Sequence, residues 1–249
     1  MPVWRFTTVL AIGVAAASPL SAEQAAKPKG VVELFTSQGC ASCPPADAKL
    51  ETLIRQGDVI ALSYHVDYWD YLGWKDTLSS KENTERQYGY ARTMGRTNVY
   101  TPQAVLNGQD HISGADLHGI NAKLEALRAD GKGLNVDVDA AMRGDELEIN
   151  VGPGNGKANV VIAYFNREQV IQMDKGENAG RKITYWNTVS DVQTVGMWDG
   201  KPLKLVLPAS VVGTQRKQGC AVLRQATSPK GDPAAIRGAA VLTAAPNGG

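Results

Sequence analysis

Two cysteines near the start of the chain have the spacing of a redox-active pair. Cys40 and Cys43 follow the apolar run 31–35, which predicts a buried strand, and precede apolar residues at helical spacing. The free N–H groups and the macrodipole at a helix N-terminus favour negative charge, which lowers the pKa of a thiol placed there. We therefore expect Cys40 to be an exposed attacking thiolate. Cys43, one turn along and more enclosed, would resolve the mixed disulfide by attacking the Cys40 sulfur.

A Thr101-Pro102 step lies about sixty residues downstream, directly before the strand-like run 103–106. Cis bonds are rare, about 5–6% of X-Pro bonds, so a Thr-Pro pair alone does not predict one. The evidence here is its position directly before a predicted strand. A cis bond here would place a strand end beside the cysteines and leave the Thr101 backbone free to pair with an extended substrate.

Residues 1–22 resemble a secretory signal peptide. Arg5 supplies a positive start, 6–17 form an uncharged apolar stretch, and 18–22 offer small residues for cleavage. The stretch is shorter than the roughly 20 residues that span a bilayer. We expect a periplasmic or secreted protein with no membrane span in the mature chain. Disulfides persist in such compartments, and the distant Cys220 is predicted to be a buried, inert thiol.

The element order predicts an α/β domain followed by an all-β domain. Residues 30–130 read as β-α-β-α-β-β-α, with a helix starting near Cys40 and another capped by Ser79. Asn107-Gly108 is a strong hairpin signal between the last two strands. After the glycines of 131–133 the pattern alternates, beginning with 134–138. An antiparallel β-sandwich is therefore predicted for 134–245.

These segments carry a resemblance. Residues 30–130 resemble the thioredoxin superfamily, and 33–47, 65–74, 99–103 and 219–223 resemble a family of exported bacterial thioredoxin-like proteins of uncharacterised function. The resemblance implies a thioredoxin fold with Cys40, Cys43 and a cis Pro102 at the site, and it implies no established substrate. The buried acid that thioredoxins use would fall at Leu34. Glu33 is one residue off, on the opposite face of the strand.

Other side chains near the motif leave alternatives open. Tyr68, Trp69 and Trp74 would bind an extended peptide substrate, or would pack as a loop over the sheet. His65 ends the second strand, where it would bond to Asp67 or Asp70. Alternatively it would join Cys40 and Cys43 in holding Cu(I), which thiolate ligands select.

The charge balance narrows the class of function. The chain has 26 Lys and Arg against 25 Asp and Glu, a net charge of +1. No basic stripe or acidic tail is present, which argues against nucleic acid as a partner. The leading hypothesis is thiol–disulfide exchange on exported protein or small-molecule thiols, with an electron donor or acceptor and no organic cofactor. The alternatives are a Cu(I) carrier and a non-catalytic interaction module.

Overall fold

The computed structural model describes residues 27–208, 210 and 218–243, and the predicted signal peptide 1–22 lies outside them. In chain order the elements are β1 (Val31–Thr36), α1 (Pro44–Gln56), β2 (Ile60–His65), α2 (Lys81–Thr93), β3 (Gln103–Leu106), β4 (Asp110–Ser113), α3 (Leu117–Ala129), β5 (Val138–Arg143), β6 (Glu146–Val151), β7 (Ala158–Gln172), β8 (Lys182–Trp198), β9 (Leu203–Pro208), β10 (Gly219–Thr227) and β11 (Pro233–Thr243). No helix in these ranges is long and apolar enough to cross a membrane.

The first half has the predicted order of elements, with two shifted boundaries. α1 begins at Pro44 rather than near Cys40. Proline is well suited to the first turn, where its missing N–H has no helical partner, so the cysteines occupy the preceding turn. α2 is capped by Ser80, whose hydroxyl accepts from the N–H of Asn83 at 3.1 Å. The capping prediction at Ser79 was wrong by one residue, because the Ser79 hydroxyl donates to the Asp76 carbonyl instead.

Strands of this half lie in the order β2-β1-β3-β4. β1 and β2 are parallel, while β1 pairs antiparallel with β3, and β3 with β4. The predicted hairpin at Asn107-Gly108 is confirmed, since both residues have positive φ, of 49° and 63°, as a tight type I′ turn requires.

The second half continues the same sheet. Strands β11, β10, β7 and β8 extend it to eight strands, and β8 meets β2 where Thr188 pairs with Ser63. A separate antiparallel sheet, β5-β6-β9, packs against one face of this extension around Tyr164 and Trp198. The alternating segment 134–138 is not a strand apart from its last residue, because β5 starts at Val138. The main sheet thus crosses the boundary predicted at 131–133.

The strands of the first half separate two apolar cores, so each of their side chains faces one core or the other. Helices α1 and α3 cover one face through residues such as Leu50 and Leu124. The other face packs around Phe35, Tyr64 and the α2 residue Tyr90. Adjacent residues of β1 therefore face opposite cores, which decides which side chains can approach the cysteines.

Candidate active site at the first helix

Cys40 and Cys43 form a disulfide, with their Cα atoms 5.4 Å apart. Cys43 is the N-cap residue of α1, and its carbonyl accepts from the N–H groups of Ala46 and Asp47 at 2.8 and 3.1 Å. The predicted placement of the pair at a helix N-terminus is confirmed. Ser42 Oγ lies 3.5 Å from Cys40 Sγ, so its hydroxyl is placed to donate to a Cys40 thiolate.

The prediction that Cys40 is exposed was wrong. Its side chain is only 4% exposed, against 0% for Cys43, while Ala41 and Ser42 between them are exposed. Another loop packs closely on the residue before Cys40: a Cβ placed on Gly39 would lie 3.1 Å from both Cβ and the carbonyl oxygen of Trp69. Cys40 remains the more accessible of the two cysteines.

Trp69 links the cysteine turn to the Thr101-Pro102 step. The Thr101-Pro102 peptide bond is cis, as predicted. The Trp69 indole N–H donates to Thr101 Oγ1 at 2.7 Å, and the Trp69 backbone packs on Gly39. Trp69 thus contacts two segments that are about sixty residues apart in sequence, one through its indole and one largely through its backbone.

The other two aromatic residues predicted to bind substrate are half-buried, and their polar atoms bond within the protein. Tyr68 donates to Gln87 Oε1 at 3.1 Å, and Trp74 donates to Gln38 Oε1 at 2.7 Å. Burial raises the pKa of Tyr68 to about 12. Tyr71, in the same aromatic stretch, is 76% exposed and stacks on Trp69 with ring centroids 6.5 Å apart. Trp69 is half-buried as well, so the exposed ring of this loop is that of Tyr71.

A fully buried ion pair lies at the end of β2. His65 Nδ1 is 2.8 Å from Asp76 Oδ2, and neither side chain is exposed. Burial lowers the pKa of His65, but the charge and hydrogen bond of Asp76 and the charge of Asp47 together outweigh this, and the net pKa is raised. Burial raises the pKa of Asp76, but the charge and hydrogen bond of His65 and the backbone N–H groups of Gln38 and Leu78 together outweigh this, so the net pKa is lowered. The predicted partners Asp67 and Asp70 were wrong, since Asp76 occupies that place.

Asp47 is a buried carboxyl group one turn after Cys43. It is 3% exposed, and neither oxygen has a hydrogen bond of normal geometry. Burial raises its pKa from 3.8 to about 7, although His65 and the nearby Thr36 hydroxyl act in the opposite direction. Residues four apart on a helix lie side by side, which places this carboxyl next to Cys43. The sequence had suggested only a structural role for Asp47 in the first helical turn.

The second half of the chain contributes two residues that sequence reasoning missed. The buried amide of Asn178 donates through Nδ2 to the carbonyls of Gln38 at 2.9 Å and Cys40 at 3.0 Å. The Tyr185 ring packs edge-on against His65, with centroids 4.6 Å apart. No local pattern marks either residue, because each acts more than a hundred positions away from its partner.

Asn178→Ala is expected to lower the free energy of unfolding by about 2 kcal/mol, because two buried carbonyls lose their donor. It should also speed reduction of the Cys40–Cys43 disulfide by dithiothreitol several-fold, since the turn is held less firmly. Urea unfolding and stopped-flow reduction would measure the two effects. Asn121→Ala, on the exposed face of α3, serves as the control and should change neither. Unchanged values for Asn178→Ala would show that the amide does not hold the turn.

Glu33 and Leu34 take the places that the alternation of β1 predicts. Leu34 packs under α1 and α3, while Glu33 faces the opposite core. There Arg86 Nε donates to Glu33 Oε1 at 2.8 Å, and the Tyr90 hydroxyl donates to Oε2. Glu33 therefore lies on the far side of the sheet from the cysteines, where it is held by Arg86.

The geometry does not favour the alternative copper site. Within residues 27–208, 210 and 218–243, no three His, Cys, Asp or Glu side chains are arranged to hold a metal ion. Cys40 and Cys43 are joined to each other, and His65 Nδ1 is taken by Asp76. The Cu(I) hypothesis stays an untested prediction. Cys220 is a free, buried thiol, as predicted, and burial raises its pKa to about 11.

The sequence profile of one family, described as "Protein of unknown function (DUF1223)", matches residues 31–225. The chain belongs to this family. The DUF1223 match begins with β1 and ends within β10, so it covers the cysteine site together with the residues of the second half that support it. This confirms that the chain has relatives of unassigned function, as the resemblance implied. No curated protein matches the chain.

Two solved structures are similar to this DUF1223 protein. Protein AGR_C_4864 from Agrobacterium tumefaciens, a crystal structure, is 61% identical, with 88% of this chain and 96% of that chain covered and a TM-score of 0.82. HBP35 of Porphyromonas gingivalis is 15% identical, with 88% and 76% covered and a TM-score of 0.61. The second likeness concerns the fold alone.

Proposed function

We propose that this protein is an exported thiol–disulfide oxidoreductase that uses the Cys40–Cys43 pair. The observation that carries the proposal is the arrangement of the disulfide and Asp47. The disulfide closes at the N-terminus of α1, and a buried carboxyl with a pKa of about 7 lies one turn behind Cys43. A disulfide that closes so short a loop adds little stability, which favours a chemical role.

The proposal includes a thioredoxin-like domain over 30–130 and a β-sandwich domain over 134–245. The order β2-β1-β3-β4, with β1 and β2 parallel and β4 at the edge, supports the first. The packing of β5-β6-β9 on the extension of the main sheet supports the second. The second domain would also serve the first, because Asn178 and Tyr185 reach the cysteine turn and His65.

The exchange proceeds in two steps when the reduced protein meets a substrate disulfide. The Cys40 thiolate attacks one substrate sulfur, the substrate S–S bond breaks, and the first substrate thiolate leaves. Asp47 then accepts the proton of Cys43, whose thiolate attacks the Cys40 sulfur and releases the second substrate thiolate. Two electrons pass to the substrate and the Cys40–Cys43 disulfide forms. The reverse sequence oxidises a substrate dithiol.

An extended peptide is the substrate that the surroundings fit. Trp69 packs on Gly39 of the turn and bonds to Thr101 beside the cis Pro102, and the exposed Tyr71 ring stacks on Trp69. Cys40 is only 4% exposed, so a flexible segment would reach it more easily than a folded surface. Exported proteins with exposed thiols or disulfides have these properties.

An insulin-reduction assay with dithiothreitol tests the proposal. The wild-type protein should accelerate reduction about tenfold or more at micromolar concentration, and Cys40→Ser should return it to the uncatalysed rate. Cys43→Ser should accumulate a mixed disulfide with the substrate, which mass spectrometry would detect. Cys220→Ser is the matched control and should keep full activity. Failure of the wild type in both insulin reduction and oxidation of a reduced peptide would rule out the enzyme. The reduction potential would give the direction, since about −120 mV marks oxidants and about −270 mV reductants.

A further inference from the structure

A cavity of about 510 Å³ lies in the second half of the chain, away from the cysteine site. Its walls come from the segment after α3, the glycine-rich loop between β6 and β7, and the ends of β10 and β11. The charged residues that line it are Lys157, Arg224 and Arg237. None of the residues that form the cysteine site lines it.

The charge of this cavity is unbalanced. Among the described residues that line it there is no Asp or Glu. Two other cavities of similar size are lined by both signs of charge: in one Lys123 pairs with Asp110, and in the other Arg92 pairs with Asp232. A concave site whose charged lining residues are all positive concentrates anions.

Arg224 is the buried member of the group. It is 4% exposed, its Nη2 donates to the Asn155 carbonyl at 3.0 Å, and its guanidinium lies 4.4 Å from the Trp198 ring centroid. Its Nε has no hydrogen-bond partner. Burial lowers the pKa of Arg224, and the charge of Arg237 lowers it further. A buried charge without a counter-charge is costly, so an anion in the cavity would lower the free energy of the folded protein.

Arg237 and Lys157 complete the set from two different walls. Arg237 Nη1 donates to the Gly131 carbonyl at 2.7 Å, which fixes the guanidinium and leaves further N–H groups available. Lys157 is exposed at the end of the glycine-rich loop. Two arginines and a lysine around one cavity suit a tetrahedral oxyanion, because guanidinium groups bind phosphate through paired N–H donors.

We propose that this cavity is a binding site for a phosphate group, held by Arg224, Arg237 and Lys157. The cavity is several times larger than a phosphate ion, so it also admits a small phosphomonoester. Both candidate ligands, the free phosphate ion and the phosphomonoester, carry a dianionic phosphate group. Titration with one probe of each kind distinguishes them. The site is separate from the proposed redox reaction, so either proposal can fail alone.

Calorimetric titration of the full mature protein with inorganic phosphate, and separately with glycerol 3-phosphate, tests the site at constant ionic strength. One molecule should bind per chain, and the Lys157→Gln/Arg237→Gln double variant should bind at least tenfold more weakly because it loses two charge-assisted contacts. Arg224 is left in place because its side chain packs on Trp198. Tighter binding of the ester would identify an organic phosphate as the ligand, and equal binding would identify the free ion.

The control removes the same charge elsewhere. Lys81→Gln/Lys230→Gln changes two exposed lysines that do not line the cavity, and its affinity should stay within twofold of wild type. Equal weakening in both double variants would show only a general effect of net charge and would overturn the site. Absence of saturable binding of both probes to the wild type would overturn it as well. Cys40→Ser should bind phosphate as wild type does.

Discussion

Asp47→Asn is expected to stabilise the oxidised protein by about 4 kcal/mol above pH 7. Burial raises the carboxyl pKa from 3.8 to about 7 in the folded chain, and each unit of pKa difference corresponds to about 1.4 kcal/mol. As the pH rises from about 4 to about 7, the unfolded chain releases this proton while the folded chain still holds it. The folded protein therefore loses stability across that interval, and loses no more above it. Asparagine cannot ionise, so the variant avoids the loss.

Urea unfolding at pH 4 and pH 8 measures this effect. The difference between Asp47→Asn and wild type should be small at pH 4 and large at pH 8. Asp139→Asn, an exposed position on β5, is the control and should show no such trend. A difference that is the same at both pH values would mean that Asp47 does not titrate near neutrality.

The same variant should slow disulfide exchange although the protein is more stable. Loss of a positioned proton acceptor costs about 100-fold or more in rate, and the step affected is the attack of Cys43 on the mixed disulfide. Rapid-quench trapping should show the mixed disulfide persisting in Asp47→Asn and not in Asp139→Asn. Unchanged exchange in a stabilised variant would remove Asp47 from the mechanism while leaving Cys40 and Cys43 in place.

Arg86→Met is expected to lower the free energy of unfolding by about 3–5 kcal/mol at pH 7. Arg86 donates to Glu33, Tyr90 and Gln225, and the Glu33 side chain is fully buried. Removing the guanidinium leaves a carboxylate in the core without its counter-charge. Losing one member of a buried ion pair destabilises a protein more than replacing both. Burial lowers the pKa of Arg86, but the charge of Glu33, the neighbouring Tyr64 and Tyr90, and the hydrogen bond to Glu33 together outweigh this and raise it.

The double variant Glu33→Gln/Arg86→Met separates charge from packing. It should recover at least half of the lost stability, because no unpaired charge remains and Tyr90 still has an oxygen to bond to. Chemical unfolding of both single variants and of the double variant gives the coupling energy. If the double variant is as unstable as the sum of the singles, the pair contributes through shape alone. Exchange activity per folded molecule should be unaffected, since this network lies on the far side of the sheet from the cysteines.

The family match agrees with a site that both halves of the chain build. It covers residues 31–225, from the first strand to the strand that carries Gln225. Asn178 holds the Cys40 carbonyl and Tyr185 packs on His65. A fragment ending near residue 130 would lack both supports, and its Cys40 turn would be looser.

The sequence alone predicted those features that depend on neighbours along the chain. The apolar run of β1, the turn at Asn107-Gly108 and the Cys40–Cys43 spacing each express a local geometric requirement, and the structure contains all three. The alternation of β1 also placed Glu33 and Leu34 on opposite faces. Local signals were less exact at boundaries, as at Ser79 and Ser80, because neighbouring hydroxyls compete for the same cap.

Only the tertiary structure decided what surrounds the cysteines. The Asp47 carboxyl is buried because strands and loops from elsewhere in the chain exclude water from the first turn of α1. His65 pairs with Asp76 instead of a closer acid, and Asn178 reaches Cys40 across 138 positions. Burial and long-range contacts set the pKa values and the access to sulfur on which the proposed chemistry depends. Neither is encoded in the spacing of residues along a single segment.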